Sequence, residues 1–261
     1  MNETAQILLL SATVTPPSQV PNLVLTDPQI RLFDYERALA FYQSLIGKGV
    51  DYIVLAENSN ADISRLRELV NRSGLSNRVE LISFYGLDYP SSYGKGYGEF
   101  KLVDYAMSNS RILNAAKPEV VIWKVTGRYV VKNLAQIIRQ RPRQFDIYCN
   151  FRLGLTKSIP KPSLLRWMDL FLLAWTAAGY DSVIKNIYPD LRADHHGEAE
   201  VRFRELLEQA SPHVNVVNRY TTVPFIDGFR GFDGQNYSQG LNLWKYYSRC
   251  VAQRLMPWAW L

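Results

Sequence analysis

The chain has 261 residues, 47% of them hydrophobic, enough for one large domain or two small ones around a sizeable core. A formal charge of +6 and a pI near 9.2 favour anionic partners such as nucleotides or an acidic membrane face. Nucleic acid would require a denser basic stripe than this excess provides, and no continuous apolar stretch of about 18–20 residues is present to span a bilayer. Glu3, standing where a leader's basic segment would be, and the short run Ile7 to Leu10 read against a secretory signal. Cys149 and Cys250 make neither metal spacing nor a disulfide framework, which suits a reducing cytoplasm. Aromatic side chains make up 13% of the chain and tyrosine dominates them, so many rings are expected at half-wet surfaces such as sugar-binding clefts and membrane interfaces.

Ile7 to Val14 reads as a buried first strand, and Pro16, Pro17 and Pro21 force a loop after it. Asp27-Pro28 is a helix start, a capping side chain followed by proline at the first helical position. Leu32, Tyr35, Leu39, Tyr42 and Ile46 follow at helical spacing, with Gly47 as the stop. Tyr52 to Ala56 is a second strand with the polar outlet Glu57-Asn58-Ser59-Asn60. A helix from about Asp62 carries Ile63, Leu66, Leu69 and Val70 on one face and ends at Gly74. Val79 to Phe84 is a third strand, Glu99 to Asn114 a helix, and Val120 to Val125 a fourth strand. This alternation predicts an α/β fold with a largely parallel sheet covered on both faces.

In the second half, Asp146 to Phe151 reads as a strand, and Leu164 to Ala178 and Glu198 to Gln209 as helices. A glycine- and aromatic-rich loop, Phe225 to Gly240, precedes a final amphipathic stretch. The sequence shows no repeat, low-complexity tract or interdomain linker, so one domain over 1–261 is expected.

Two glycine-bearing basic segments carry the candidate chemistry. Gly94-Lys95-Gly96-Tyr97-Gly98-Glu99 follows the third strand; it fits neither a Walker A loop nor a dinucleotide fingerprint. It reads either as a flexible loop bringing Lys95 to a phosphate or as a surface loop before a helix. Lys124-Val125-Thr126-Gly127-Arg128-Tyr129 ends the fourth strand. Lysine inside an apolar strand is costly unless paired. The segment reads as two cations and a hydroxyl facing a diphosphate, with a structural ion pair and a turn at Gly127 as the alternative. Both segments and the Glu57 outlet fall at the carboxyl edge of the predicted sheet, where ligands collect in such folds.

The strand order and these two segments resemble small bacterial glycosyltransferases of surface-polysaccharide assembly, which have a GT-A-like nucleotide-sugar fold. The resemblance covers about the first 150 residues, the expected donor half; 151–261 would form the acceptor half. It implies transfer from a nucleotide-diphosphate sugar to a saccharide or lipid-linked acceptor. Lys95, Gly96, Lys124, Thr126, Gly127 and Arg128 would line the donor site, and Tyr97 and Tyr129 would stack on base or sugar. The chain lacks an Asp-x-Asp pair, a departure that leaves cations in place of a metal; no cofactor is expected, although a divalent cation stays open.

An inverting transfer needs a base for the acceptor hydroxyl. Glu198 and Glu200 are the candidates; both could equally be acids favouring a helix dipole. His195 and His196 lack a third ligand and read as a solvated loop. Residues 241–261 mix Lys245, Arg249 and Arg254 with Trp244, Tyr246, Trp258 and Trp260, which fits either a helix lying on a membrane or one packed on the domain. The expected location is cytoplasmic, at the inner membrane face if that contact is made. The alternative function is a non-catalytic nucleotide- or nucleic-acid-binding module, which the basic charge and interleaved aromatics permit.

Overall fold

The side-chain alternation of the first strand decides the architecture. Leu8 and Leu10 point into one buried cluster and Ile7 and Leu9 into another, so the strand needs a layer on each face. In this computed structural model, which describes residues 4–17, 20, 23–152, 166–231 and 233–255, that strand is β1 (Gln6–Ala12). The chain continues through α1 (Pro28–Gln43) to β2 (Tyr52–Glu57), and through α2 (Ser64–Ser73) to β3 (Val79–Ser83). Then α3 (Gly94–Asn109) and the short α4 (Arg111–Asn114) lead back to β4 (Val121–Thr126). The second half contains β5 (Val130–Val131), α5 (Leu134–Arg139), β6 (Ile147–Tyr148), β7 (Phe151–Arg152), β8 (Trp167–Met168) and β9 (Leu172–Trp175). It closes with α6 (Ala177–Gly179), α7 (Ala193–His196), α8 (Ala199–Ala210), β10 (Val216–Val217), β11 (Ile226–Asp227) and α9 (Gly240–Leu255).

Among the described residues the central sheet runs β10-β6-β9-β4-β1-β2-β3. Only β9 is antiparallel to its neighbours. The fold is therefore α/β with a mostly parallel central sheet flanked by helices, and strands from both halves of the chain share it. The chain leaves β1 toward β2 and β3, then returns to place β4 on the other side of β1. The diverging connections make the carboxyl ends of β1 and β4 the topological switch point, where such folds form their ligand crevice.

Local chemistry explains the elements. The Asp27 carboxylate accepts from the amides of Gln29 (2.8 Å) and Ile30 (3.3 Å), capping α1 as expected. Gly74 ends α2 at φ +68°, a left-handed conformation that costs glycine nothing. The helix expected over Glu99 to Asn114 starts earlier, at Gly94, and breaks at Ser110. There the Ser110 hydroxyl donates to Glu80 (2.6 Å) and accepts from the Leu113 amide (3.1 Å), capping α4.

Two other expectations are corrected. The helix expected over Leu164 to Ala178 is two strands, β8 and β9, with 164–165 outside the described residues. Leu172 to Trp175 is buried on both faces between β4 and β6, so its continuous apolar run carries no strand period. Within the expected loop Phe225 to Gly240, Ile226–Asp227 pairs with β5. Many tyrosines do sit at half-wet surfaces, among them Tyr89, Tyr93, Tyr97, Tyr188 and Tyr246, whereas Tyr35, Tyr42, Tyr148 and Tyr220 are fully buried. Backbone groups at strand ends satisfy their hydroxyls: Tyr42 donates to the Tyr129 carbonyl (2.7 Å) and Tyr220 to that of Leu172.

The first glycine segment does not form a loop. Gly94 and Gly96 lie in the first turn of α3, where it packs on α7 and α8. A methyl group on Gly94 would sit 2.9 Å from the Ala193 methyl, and one on Gly96 would collide with that of Ala199. Gly98 likewise leaves room for the Tyr89 hydroxyl. These glycines let helices meet. We expect Gly96→Ala to lower stability by about 1–3 kcal/mol, and Ala199→Gly to restore most of it in the double variant. Thermal melting of the four proteins of that cycle checks the coupling; strictly additive melting shifts would contradict the contact.

Candidate functional site

The crevice is organised around one ion pair. Lys124 on β4 is completely buried, and its ammonium lies 2.6 Å from the Glu99 carboxylate of α3. The same Glu99 oxygen accepts from the Ser11 hydroxyl at 2.7 Å and the Thr126 hydroxyl at 3.0 Å. Lys124 also donates to the Leu170 carbonyl at 2.5 Å. Burial lowers the Lys124 pKa, and Glu99 opposes that shift. Lys124 thus faces the protein, not a ligand, and its geometry is that of the structural ion pair. It ties α3, β1, β4 and the strand-preceding loop Asp169 to Phe171 together.

Beside it stand two buried guanidiniums. Arg31 of α1 donates to the carbonyls of Thr13 (2.7 Å) and Leu25 (3.0 Å), fixing the chain as it leaves β1. Arg128 follows β4, 3.6 Å from the Asp34 carboxylate and 3.4 Å from the Phe229 carbonyl. Burial raises the Asp34 pKa, against the pull of Arg128, and one Asp34 oxygen has no hydrogen-bond partner. Gly127 permits the turn between β4 and Arg128: a methyl group there would lie 2.7 Å from the Ser11 carbonyl.

The Glu57 outlet forms a second rigid element. This fully buried carboxylate accepts from the amides of Val14 (3.0 Å), Ser59 (2.9 Å) and Ala61 (3.1 Å). Asn58 accepts from the Thr13 hydroxyl at 2.7 Å. The ends of β1 and β2 are therefore fixed relative to each other by side chains satisfying backbone donors.

On the rim, Lys95 is exposed. Its pKa is lowered by desolvation, raised by Glu200 and Glu99, and lowered further by Arg128 and Arg31. Lys95 therefore shares an electrostatic environment with cations from α1 and the end of β4. Glu200, in the first turn of α8, is half-buried; burial raises its pKa, and Lys95 counters that shift. Glu198 is the exposed residue preceding α8, and His195 and His196 are exposed on α7. The structure thus couples Lys95 with Glu200 and leaves Glu198 at the surface.

The two candidate stacking rings differ. Tyr97 is half-buried in a cluster with Tyr89, Tyr93 and Tyr188, ring centres 4.8–5.0 Å away. Tyr129 is buried against Tyr237 at 5.4 Å, edge to face, so its ring belongs to the core. Among the described residues, no group of three His, Cys, Asp or Glu side chains converges to hold a metal.

Arg31, Asp34 and Glu99 organise this site and were not singled out from the sequence, and Glu57 was read only as part of a polar outlet at the sheet edge. Arg31 and Asp34 carried a readable signal: they occupy the buried face of α1, one turn before Tyr35 and Ala38 respectively. A charged residue on such a face needs a buried partner.

No protein-family model and no curated protein matches the chain. Solved structures show a distant likeness. A protein described as a nucleotide-diphospho-sugar transferase from Desulfovibrio desulfuricans is 10% identical, TM-score 0.45, over 83% of this chain and 80% of its own. A 4-diphosphocytidyl-2C-methyl-D-erythritol synthase is 11% identical, TM-score 0.43, over 94% of this chain and 97% of its own. The WbbM bifunctional glycosyltransferase is 11% identical, TM-score 0.42, over 84% of this chain and 39% of its own length. At this distance the chemistry has to be argued from the residues of this chain alone.

Replacing Lys124 with Met leaves Glu99 in a largely dry site with only hydroxyl donors. We expect Lys124→Met to cost about 3 kcal/mol, at the low end for breaking a buried pair because Glu99 keeps some solvent contact. Denaturant unfolding measures this; unchanged stability would remove the pair from its structural role.

Proposed function

We propose that this protein is a glycosyltransferase of surface-polysaccharide assembly, moving a sugar from a nucleotide-diphosphate sugar to a saccharide or lipid-linked acceptor. The observation supporting the reading is the grouping of the cations Arg31, Arg128 and Lys95 near the switch point, where burial depresses the Lys95 ammonium, Glu200 opposes that shift, and the two guanidiniums add a smaller repulsion. An arriving diphosphate relieves that repulsion. Lys95 and Arg128 then stabilise the charge that grows on the diphosphate as the glycosidic C–O bond breaks, without a metal. Gly96, Thr126 and Gly127 shape the wall of this donor site, and Lys124 holds Glu99 in place.

Glu200 is the proposed base. It takes the proton of the acceptor hydroxyl as that oxygen attacks the anomeric carbon, so the transfer inverts configuration. Burial brings its pKa up toward the working pH, which suits general base catalysis. Because the base must be ionised, kcat/KM should fall on the acid side through an apparent pKa above the usual ~4.3 of glutamate. Glu200→Gln should lower turnover by about 10²–10⁴-fold and abolish that acid limb while donor binding persists. A thermal-shift screen of nucleotide-sugars with and without EDTA, followed by transfer assays across pH, reads both. Absence of any nucleotide-sugar response would end the donor reading, and full turnover in Glu200→Gln would remove the base.

The reading includes a membrane-peripheral location. Leu241, Trp244, Tyr247, Val251 and Leu255 form one exposed stripe along α9, and the charged residues of that helix are all basic. Such a face suits an anionic bilayer. Among the described residues no helix is long and apolar enough to cross a membrane; Met256, Trp258 and Trp260 lie outside the described residues. The full chain should float with phosphatidylglycerol vesicles, and the triple variant L241E/W244E/V251E should stay behind with unchanged melting. Equal flotation of both proteins would reject the contact.

A further inference from the structure

A second charged cleft, of about 810 Å³ counting its open mouth, lies between α9 and the loops around β7, β8 and β9. Its lining includes Asn150, Arg152, Asp169, Arg219, Tyr237 and Arg249. Three guanidiniums thus face a single carboxylate. That carboxylate, Asp169, is 2% exposed and already occupied: it accepts from Asn150 at 2.9 Å and from Arg152 at 2.9 Å, and pairs with the Arg152 guanidinium at 2.8 Å.

Arg249 is the unusual member. It projects from the inner face of α9, and among the described residues no hydrogen bond or ion pair holds it. Burial lowers its pKa and Arg152 lowers it further, while Asp169 and Tyr237 oppose the shift. Arginine stays protonated in proteins, so this charge is carried in a partly dry cleft beside a like charge. The Tyr237 hydroxyl, whose pKa burial raises, stays protonated and hydrogen-bonds the Tyr129 hydroxyl, from which it could turn to a ligand. Fork-shaped cations with a neutral hydroxyl donor match the oxygens of a phosphoryl group. Among the lining residues arginine outnumbers carboxylate three to one, which favours an anionic group.

The cleft abuts the switch-point crevice. Leu170, next to Asp169, accepts from Lys124; Phe171 accepts from the Thr126 amide at 3.0 Å; and Tyr237 packs on Tyr129, beside Arg128. We propose that this arginine cleft binds a phosphoryl group of the acceptor, a sugar phosphate or a lipid-linked phosphate. The acceptor assignment rests on the transferase reading above; phosphoryl binding itself does not.

The test uses the full chain, with glycerol phosphate as probe in calorimetric titrations. Arg249→Gln should weaken glycerol phosphate binding at least tenfold with unchanged melting and unchanged nucleotide-sugar response. Arg249→Lys, which keeps the charge and loses the fork, should weaken it less. Arg128→Lys should leave glycerol phosphate binding intact while weakening the donor response. Absence of glycerol phosphate binding to the wild type, or equal affinity in Arg249→Gln, would overturn the proposal. A lost nucleotide-sugar response with glycerol phosphate binding retained would instead remove the donor reading alone. Vesicles containing phosphatidic acid assign the source: Arg249-dependent capture points to a lipid-linked phosphate, and capture indifferent to Arg249 alongside glycerol phosphate binding points to a soluble sugar phosphate.

Discussion

A lysine ammonium with no solvent contact, held against one carboxylate where β1 meets β4, is the constraint on which the rest of the site depends. An unpaired cation there would cost several kcal/mol, so Glu99 has to reach it. Glu99 reaches it only if α3 begins early and lies over the carboxyl ends of the strands. That placement requires α3 to approach α7 and α8 more closely than a side chain allows, which is where Gly94 and Gly96 stand. The same close approach sets the first turn of α8, with Glu200, beside Lys95. A buried charge in a strand and a row of glycines one helix away thus solve the same packing problem.

The crevice keeps its shape through groups that cannot easily relax. Glu57 spends its carboxylate on backbone amides at the ends of β1 and β2, and Arg31 spends its guanidinium on the carbonyls of Thr13 and Leu25. Neither could turn toward a ligand without uncovering buried backbone groups. The groups left to respond are those nearer the rim, Lys95 and Glu200, with Arg128 behind them. Fixed dipoles and charges of this kind need little reorganisation when charge moves, which is the usual source of electrostatic catalysis.

Much of the first half was legible because its signals are local. Asp27-Pro28, Gly74 and the alternation of strands with helices act over a few residues, and each stands where the sequence placed it. The second half was less legible because its strands are short and its decisive contacts distant. Leu172 to Trp175 carries no period because both of its faces are buried, so it reads equally as helix or strand until β4 and β6 are seen beside it. The glycines of Gly94 to Gly98 were visible, but glycine makes room for a helix as readily as for a phosphate, and sequence cannot say which neighbour arrives. Lys124 was legible as a costly charge; Glu99, quoted only as the end of a glycine segment, was its partner. Arg31 and Asp34 broke the apolar face of α1 and marked the site more directly than the glycines did.

The two clefts share a wall, and that wall explains how charge could be divided between them. Asp169 belongs to the arginine cleft, while Leu170 and Phe171 engage Lys124 and Thr126 in the crevice. Tyr129 and Tyr237 close the wall with an edge-to-face contact, with Arg128 beside the Tyr129 ring and Asp169 and Arg152 within electrostatic reach of Tyr237. Two cationic sites separated by aromatic rings and backbone can each take an anion without either anion meeting the other's charge directly. If one holds a nucleotide diphosphate and the other an acceptor phosphate, the wall keeps the repelling groups apart, and the reacting hydroxyl and anomeric carbon meet above it, on the side where Glu200 stands.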